Sequence, residues 1–316
     1  MMIETVGTPA LWIGFLAFVF AMLALDLGVF HRHSRAVSAR EALIWSLVWI
    51  GLAFAFNGAI YVWFGPARAL EFLTGYLIEK ALSVDNLFVF VVIFSYFSVS
   101  AAQQHRVLFW GILGALVMRA VFIVAGGAML QAFHWTIYLF GGLLLVTGVK
   151  LLRQKEGDIH PERNPVVRLI ARAFPVSTAA TGERFFVREA GRWAITPLFM
   201  ALVTVEVSDL VFAVDSIPAI FAITTDPFIV FTSNIFAILG LRSLYFLLAG
   251  MLGRFRYLNV GLAAVLIFVG AKMMLVEWVK VPIVLSLGVV AGLLTLSILA
   301  SILMRSGGHG KAGPER

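Results

Sequence analysis

The stretch VEVSDLVFAVDSIPA at residues 205–219 decides the fold, because Glu206, Asp209 and Asp215 interrupt an otherwise apolar run there. With its flanking residues the run extends over 194–221, which is long enough for a helix to cross a bilayer. An ionised carboxylate inside hydrocarbon must have a partner to be tolerated. The three acids are therefore a functional-site hypothesis, and the rest of the chain has to explain what neutralises them.

The composition is that of a polytopic membrane protein. Of the 316 residues 61% are hydrophobic and 13% are charged, and the mean hydropathy is +0.98, values far from those of a soluble domain. The chain has no cysteine, which excludes a disulfide framework, thiolate metal ligands and a cysteine nucleophile. The net charge of +7 lies mainly in the connections between apolar runs, so it indicates topology and not a nucleic-acid partner.

Nine apolar runs have the length that a helix needs to cross about 30 Å of hydrocarbon. We therefore predict an all-α, polytopic membrane protein with about nine transmembrane helices in the lipid bilayer. The predicted spans are 9–30, 41–64, 70–97, 107–129, 134–152, 194–221, 227–249, 257–277 and 282–304.

The positive charges predict the orientation. Alternate connections divide into two sets, one with seventeen Lys and Arg residues and the other with only Arg68 and Lys280. By the positive-inside rule the N-terminus lies outside and the C-terminus lies in the cytoplasm. The long segment 153–193 is then cytoplasmic. It is either a solvated linker or, over its apolar run 166–174, a short amphipathic helix on the membrane surface.

Two parts of the chain resemble each other. EKALSVDNL at 79–87 matches DLVFAVDSI at 209–217. Both begin with an acid, have a Val-Asp pair whose acid lies six residues after the first, and continue with an amide or a hydroxyl residue. In the next span, the run that begins at Arg119 resembles the run that begins at Arg242. In the span after that, similar Gly-X-Lys sequences occur at 148–152 and 270–274.

Because the three matches occur in the same order, we predict two copies of a three-helix unit, made of spans 3–5 and spans 6–8. Three is an odd number, so the copies cross the membrane in opposite directions, as in secondary transporters whose site lies near the midplane. The predicted organisation is two N-terminal helices at 9–64, repeat 1 at 70–152, the loop 153–193, repeat 2 at 194–277 and a C-terminal helix at 282–304.

The helical period places the polar residues on faces. Glu79, Ser83 and Asn86 share one face, while Asp85 points about a third of a turn away. In the second copy Asp209 shares a face with Ser216, and Ser208 shares one with Asp215. A helix carrying these groups must be either surrounded by protein or broken, and Pro218 favours a break that frees carbonyl groups beside Asp215.

Carboxylates, an amide, hydroxyls and free carbonyls form an all-oxygen ligand set. Such a set suits hard divalent cations, Mn²⁺, Mg²⁺ or Ca²⁺, better than Zn²⁺ or Cu⁺. Asp26 either joins the site, carries a proton or lies near the membrane surface. The alternative to ion handling is that the acids only pair with buried cations, namely Lys80, Arg119, Lys150, Arg242 and Lys272.

At EKALSVDN and DLVFAVDSIPA the sequence resembles the TerC family, and the likeness extends over roughly residues 10–300. The resemblance implies an inner-membrane protein, distantly related to LysE-type exporters, that exports Mn²⁺ or otherwise governs divalent metal levels. Some family members are linked to metal supply for secreted enzymes. The motif positions implied as the metal site are Glu79, Asp85, Asn86, Glu206, Asp209 and Asp215, although Glu206 has no acidic counterpart in the first copy.

We therefore expect a Mn²⁺ exporter of the bacterial inner membrane, coupled to the proton gradient, with no organic cofactor. One alternative is a transporter of Ca²⁺, protons or an organic cation. Another is a non-transporting scaffold that supports metal supply to secreted proteins. An intramembrane hydrolase is not expected, because neither GXSXG nor HEXXH occurs, and we predict no enzymatic activity. The sequence leaves the oligomeric state open.

Overall fold

The computed structural model describes residues 5–30, 38–133, 135–153, 165–177, 184–189, 192–248, 257–279 and 281–303. Within these ranges the chain forms ten helices and one antiparallel pair of short strands. The helices are α1 Pro9–Phe30, α2 Ala39–Tyr96, α3 Ala101–Ala132, α4 Thr136–Arg153, α5 Pro165–Ala173, α6 Pro197–Phe221, α7 Pro227–Leu239, α8 Leu241–Leu248, α9 Leu258–Met274 and α10 Ile283–Leu303. The strands are β1 Phe186–Glu189 and β2 Arg192–Ile195.

The prediction of an all-α polytopic membrane protein is confirmed. Six helical stretches in the described ranges are long and apolar enough to cross a membrane, and the shorter apolar helices Pro9–Leu25 and Val260–Met274 accompany them. Every predicted span overlaps a helix, with α7 and α8 together covering the seventh. The exact number of crossings stays a prediction.

The second and third predicted spans are continuous in space. Both lie in α2, which bends at Gly65, where φ is 86° and ψ is 175°. The positive φ favours glycine, and Pro66 directly after it starts the second part of the helix in a position that needs no amide donor. The predicted connection 65–69 is therefore a bend without a separate loop.

Helix α6 is unbroken, so the predicted break at Pro218 is wrong. The helix runs from Pro197 to Phe221 with Pro218 inside it. Pro218 removes one backbone donor, the one that would bond to the carbonyl of Val214, and the helix continues past it to Phe221. The alternative, a helix surrounded by protein, holds instead, since Asp209 and Ser216 are buried by neighbouring helices.

The segment 153–193 contains regular structure where it is described. The apolar run predicted at 166–174 is helical as α5, and the β1–β2 hairpin follows it. Ile170 of α5 packs with Ile195 of β2 and Met200 of α6. The segment is thus anchored to the first turns of α6, so the expectation of a plain solvated linker is wrong for these residues.

The connections separate into two ends of the helix bundle, as the charge pattern predicts. At one end Thr5 donates to Asp226 at 2.9 Å, and Thr224 donates to Glu71 at 2.7 Å. At the other end Tyr245 donates to Gln104 at 3.1 Å. We call these the N-terminal end and the basic end. Which of them faces the cytoplasm stays a prediction.

Helix α7 is the centre of the bundle. In the stretch Pro227–Leu247, 94% of the most apolar window is buried, against 17% to 44% for the five other long apolar stretches of the described chain. Near the N-terminal end, rings of α7 pack with a ring of α1, since Trp12 lies 5.2 Å from both Phe228 and Phe231 between centroids. Deeper in the bundle, Phe236 lies 5.0 Å from Phe56 of α2. Aromatic rings thus fill the contacts of α7 with α1 and α2.

Helices α4 and α9 cross closely and antiparallel. A methyl group added to Gly270 would lie 2.8 Å from the carbonyl oxygen of Gly141, and one added to Gly148 would lie 3.0 Å from that of Ala263. Gly148 and Gly270 are matched positions of the two predicted repeats, and Gly141 and Ala263 each precede them by seven residues. Likewise α2 contacts α7 while α3 contacts α6. These matched contacts support the predicted repeat.

We expect Gly270→Ala to destabilise the protein by about 1–3 kcal/mol, because the new methyl group would meet a backbone carbonyl that cannot rotate away. The matched control is Gly142→Ala. Gly142 has open space around it, and alanine favours a helix by about 1 kcal/mol over glycine. When thermal unfolding is measured in detergent, only Gly270→Ala should have a lower melting temperature than the parent. Equal losses in both variants would contradict close α4–α9 packing.

Candidate functional site

A buried arginine joins acids from two predicted repeats. Arg119 of α3 is fully buried, as is Glu79 of α2, and Asp209 of α6 is 3% exposed. The Arg119 guanidinium donates from Nη2 to Asp209 Oδ1 at 3.1 Å and from Nε to Asp209 Oδ2 at 3.4 Å. It also donates from Nη1 to Glu79 Oε1. A single cation therefore bridges both carboxylates.

Asn234 of α7 completes this group. It is fully buried, its Oδ1 accepts from Arg119 Nη1 at 2.8 Å, and its Nδ2 donates to Glu79 Oε2 at 3.1 Å. We call these four residues the Arg119 cluster. Asn234 is not among the residues predicted from the sequence, although a lone amide in the apolar run of α7 was a signal for it.

The Arg119 cluster lies far from both ends of the bundle. Each of its residues is near the middle of its helical stretch, counting α2 from its bend and α7 together with α8. The cluster holds two carboxylates and one guanidinium, so it carries one negative charge if both acids are ionised. A net charge at this depth is costly in a bilayer, and groups of this kind mark ion or proton pathways.

Glu206 lies beside the cluster and outside its hydrogen bonds. It precedes Asp209 by three residues on α6, and its carboxylate fills the space above Gly114 of α3. A methyl group added to Gly114 would lie only 2.1 Å from Glu206 Oε1. Among the described residues, no donor bonds to the Glu206 carboxylate, which is half-buried. The absent side chain of Gly114 therefore makes room for an acid.

Asp215 faces a different helix. Its Oδ1 accepts from Thr147 of α4 at 2.9 Å, and Lys150 one turn further along α4 is close enough to attract it. Lys150 is one of the cations that the pairing alternative proposes for the buried acids, and a pair with Asp215 stays a prediction. Asp215 does not take part in the Arg119 cluster in this structure, and its place in a metal site stays a prediction.

The face of α2 that carries Glu79 is buried along its length. Ser83 is fully buried and Asn86 is 2% exposed. Among the described residues, the hydroxyls of Ser83 and Ser216 have no hydrogen-bond partner, whereas Ser208 donates to the carbonyl of Thr204 at 2.8 Å. A hydroxyl within a helix usually bonds to the carbonyl four residues earlier. Two buried hydroxyls are therefore available to a ligand or a water molecule.

The remaining predicted cations take separate places. Lys80 donates to the carbonyl of Ala237 at 3.1 Å, where α7 ends, which is a favourable position for a positive charge. Arg242 is buried in α8, and Lys272 is half-buried in α9. The side chains of Asp26 and Asp85 lie outside the described residues.

A small cavity adjoins the Arg119 cluster. Its volume is about 10 Å³, roughly the room of one water molecule. Asp209 and Arg242 contribute polar groups to its wall, and Gly111, Ile112 and Ala115 of α3 contribute small and apolar ones. These α3 residues precede Arg119, so the cavity lies between the cluster and the basic end.

The structure thus brings together Glu79, Arg119 and Asp209, with Glu206 next to them. Within the described ranges, no three acidic or histidine side chains are grouped closely enough to hold a metal ion in this arrangement. The carboxylates of the cluster are instead held by Arg119, as the pairing alternative predicts for this arginine.

Fold and site define an integral membrane protein that carries ion-paired acids in its interior. The profile of the integral membrane protein TerC family matches residues 64–308, and the chain belongs to this family. It is 59% identical over 299 residues to an uncharacterized membrane protein, STKORF319, of Myxococcus xanthus, covering 95% of this chain and 94% of the relative. No solved structure matches the chain.

Other relatives cover the chain as fully. Alx of Escherichia coli (strain K12), named as a proposed membrane-bound redox modulator, is 49% identical over 306 residues, with 94% of this chain and 95% of the relative covered. An uncharacterized membrane protein of Rickettsia bellii is 41% identical over 295 residues, with 93% and 98% covered. None of these three names specifies an enzymatic activity.

Asp209→Asn should destabilise the protein by about 3–5 kcal/mol, because it removes one partner of a buried ion pair and leaves Arg119 with fewer acceptors. Glu206→Gln should leave the stability near that of the parent, since Glu206 accepts no hydrogen bond from the described residues. Denaturant titration in micelles measures both. A large loss for Glu206→Gln would contradict the bonding described for this acid.

Proposed function

We propose that this protein moves a hard divalent cation across the membrane, with Mn²⁺ as the principal substrate. The observation that carries the proposal is the meeting of Glu79 and Asp209, one from each predicted repeat, at the buried centre of the bundle. Inverted-repeat transporters bind substrate at this kind of position. The predicted ligands Glu79, Asp85, Asn86, Glu206, Asp209 and Asp215 belong to this proposal.

The donor set favours a hard cation. The carboxylates of Glu79 and Asp209, the amide of Asn234 and the partnerless hydroxyls of Ser83 and Ser216 all offer oxygen atoms. Mn²⁺, Mg²⁺ and Ca²⁺ prefer oxygen ligands, whereas softer metals prefer nitrogen and sulfur. Two acids against one arginine also leave a negative charge that a cation would balance.

The direction and the metal come from the family resemblance. TerC-type proteins resemble exporters, so we propose export of Mn²⁺ from the cytoplasm, with the basic end facing the cytoplasm of a bacterial inner membrane. We further propose coupling to the proton gradient, in which an acid of the site takes a proton when the cation leaves. Lys150 and Lys272, at matched positions of α4 and α9, serve as fixed counter-charges.

The name of the relative Alx raises redox modulation as a role. With no cysteine, this chain cannot carry thiol–disulfide exchange itself. We propose that a redox effect of such a protein follows from the metal level that it sets.

The test is Mn²⁺ flux into liposomes that contain the purified protein, with and without a pH gradient. We expect uptake that grows with the gradient and falls when Mg²⁺ or Ca²⁺ competes, while Glu206→Gln, which keeps its stability, loses at least about tenfold in rate. The matched control is Glu41→Gln, an exposed acid at the start of α2, which should transport like the parent.

Two results would contradict the proposal. The first is a cation flux no higher than that of empty liposomes, together with a loss of function in cells that is greater when 154–192 is deleted than when Glu79 or Asp209 is changed. This result would favour a scaffold. The second is flux of Glu206→Gln and Asp215→Asn equal to that of the parent.

A further inference from the structure

All strong ligand atoms of the Arg119 cluster are in use. Both oxygens of Asp209 accept from Arg119, one oxygen of Glu79 accepts from Arg119, and the other accepts from Asn234. The amide oxygen of Asn234 accepts from Arg119 as well. Because the Arg119 guanidinium bridges the two carboxylates, a divalent cation that is to bind Glu79 and Asp209 together must take its place.

A displaced guanidinium needs another anion, because an unpaired charge inside the bilayer is costly. Glu206 meets this need by position. It lies on the same helix as Asp209, one turn nearer the basic end, where facing side chains are about 5–6 Å apart at Cβ. Its carboxylate rests on Gly114, five residues before Arg119 on α3.

The direction of the Arg119 side chain fits such a move. Side chains on a helix lean toward its N-terminus and over the residues three and four positions earlier, which for Arg119 are Leu116 and Ala115, on the basic-end side. Glu206 accepts no hydrogen bond from the described residues, so its oxygens are available to a guanidinium. The cavity beside Asp209, lined by Gly111 and Ala115, borders the same stretch of α3 on the basic-end side of the cluster.

We propose that Arg119 is a tethered cation with two alternative carboxylate partners. It binds Glu79 and Asp209 while no substrate is present, and it transfers to Glu206 when a divalent cation takes that pair. This inference rests on the proposed transport function and assigns Glu206 the role of receiving Arg119 and not of binding the metal.

The exchange balances charge in the stage with the cation bound. Glu79, Asp209, Glu206 and Arg119 sum to two negative charges when ionised, which one divalent cation neutralises. A monovalent ion would leave one negative charge uncompensated, so the arrangement selects for charge as well as for ligand type.

The test is a double-mutant cycle on Mn²⁺ affinity of the purified protein, measured by titration calorimetry or by the Mn²⁺ paramagnetic resonance signal. Arg119→Gln should bind Mn²⁺ at least about tenfold more tightly, because no guanidinium competes. Glu206→Gln should bind about tenfold more weakly, because Arg119 then has no second partner. In the double variant the Glu206 change should have no effect, which is the signature of action through Arg119.

Arg119→Lys is the second variant, for the case that Arg119→Gln does not fold. Lysine keeps the charge and has no fork to hold both oxygens of Asp209, so we expect about threefold tighter Mn²⁺ binding. An arginine that only shapes the site predicts weaker binding instead. Gly114→Ala pushes the Glu206 carboxylate from its place and should weaken binding, while Gly58→Ala, which has open space, should not.

The outcomes separate the two proposals. In one outcome the parent binds and carries Mn²⁺, and Glu206→Gln weakens binding by the same factor whether or not Arg119 is present. Glu206 is then a direct ligand, and only the two-partner inference fails. Weaker binding in Arg119→Lys would also overturn it. If the parent neither binds nor carries Mn²⁺ at millimolar concentration, the transport proposal fails and takes this inference with it.

Discussion

The ion pair between Arg119 and the two acids Glu79 and Asp209 is the constraint on which the packing depends. None of the three charges can remain in a bilayer alone, so α2, α3 and α6 must meet at one depth with the side chains turned inward. Asn234 adds α7 to the same point. The glycines follow from this requirement, since Gly75 lies against Ser233 and Ile220 and lets α2 approach α6 and α7 closely.

The main features of the fold and three of the four residues of this cluster were predictable from the sequence. Apolar length located the helices, because the bilayer allows few other ways to satisfy a backbone. The cost of charge in hydrocarbon pointed to Glu79, Asp209 and Arg119, and the predicted repeat matched Glu79 with Asp209. The helical period also predicted that Glu79, Ser83 and Asn86 share a face, and all three are buried.

Other features depend on contacts that no local pattern carries. Asn234 bonds to Glu79 across 155 positions of the chain, and a lone amide in an apolar helix does not name its partner. The break predicted at Pro218 does not occur, because one missing backbone donor does not interrupt α6, which ends one turn later. The β1–β2 hairpin lies in a short stretch without strict alternation of apolar and polar residues, and packing of Ile195 against Met200 holds it in place.

The two halves of the cluster differ where the sequence differs. Asn234 lies eight residues before Arg242, and Gly111 lies eight residues before Arg119, so the two are matched positions of the predicted repeat. The amide of Asn234 fills its position and binds Glu79, whereas Gly111 leaves its position as part of the cavity wall beside Asp209.

The cavity therefore lies on the side of Gly111, toward the basic end. In an inverted-repeat transporter, exchanging the conformations of the two copies opens the opposite end. Under the transport function proposed for this protein, Asn234 cannot exchange with a glycine, so the two open forms would hold the carboxylates differently: Glu79 would keep its amide partner in both, and Asp209 would depend on Arg119 or on the cation that replaces it. The one unequal position of the predicted duplicated site thus gives Glu79 and Asp209 different hydrogen-bond partners.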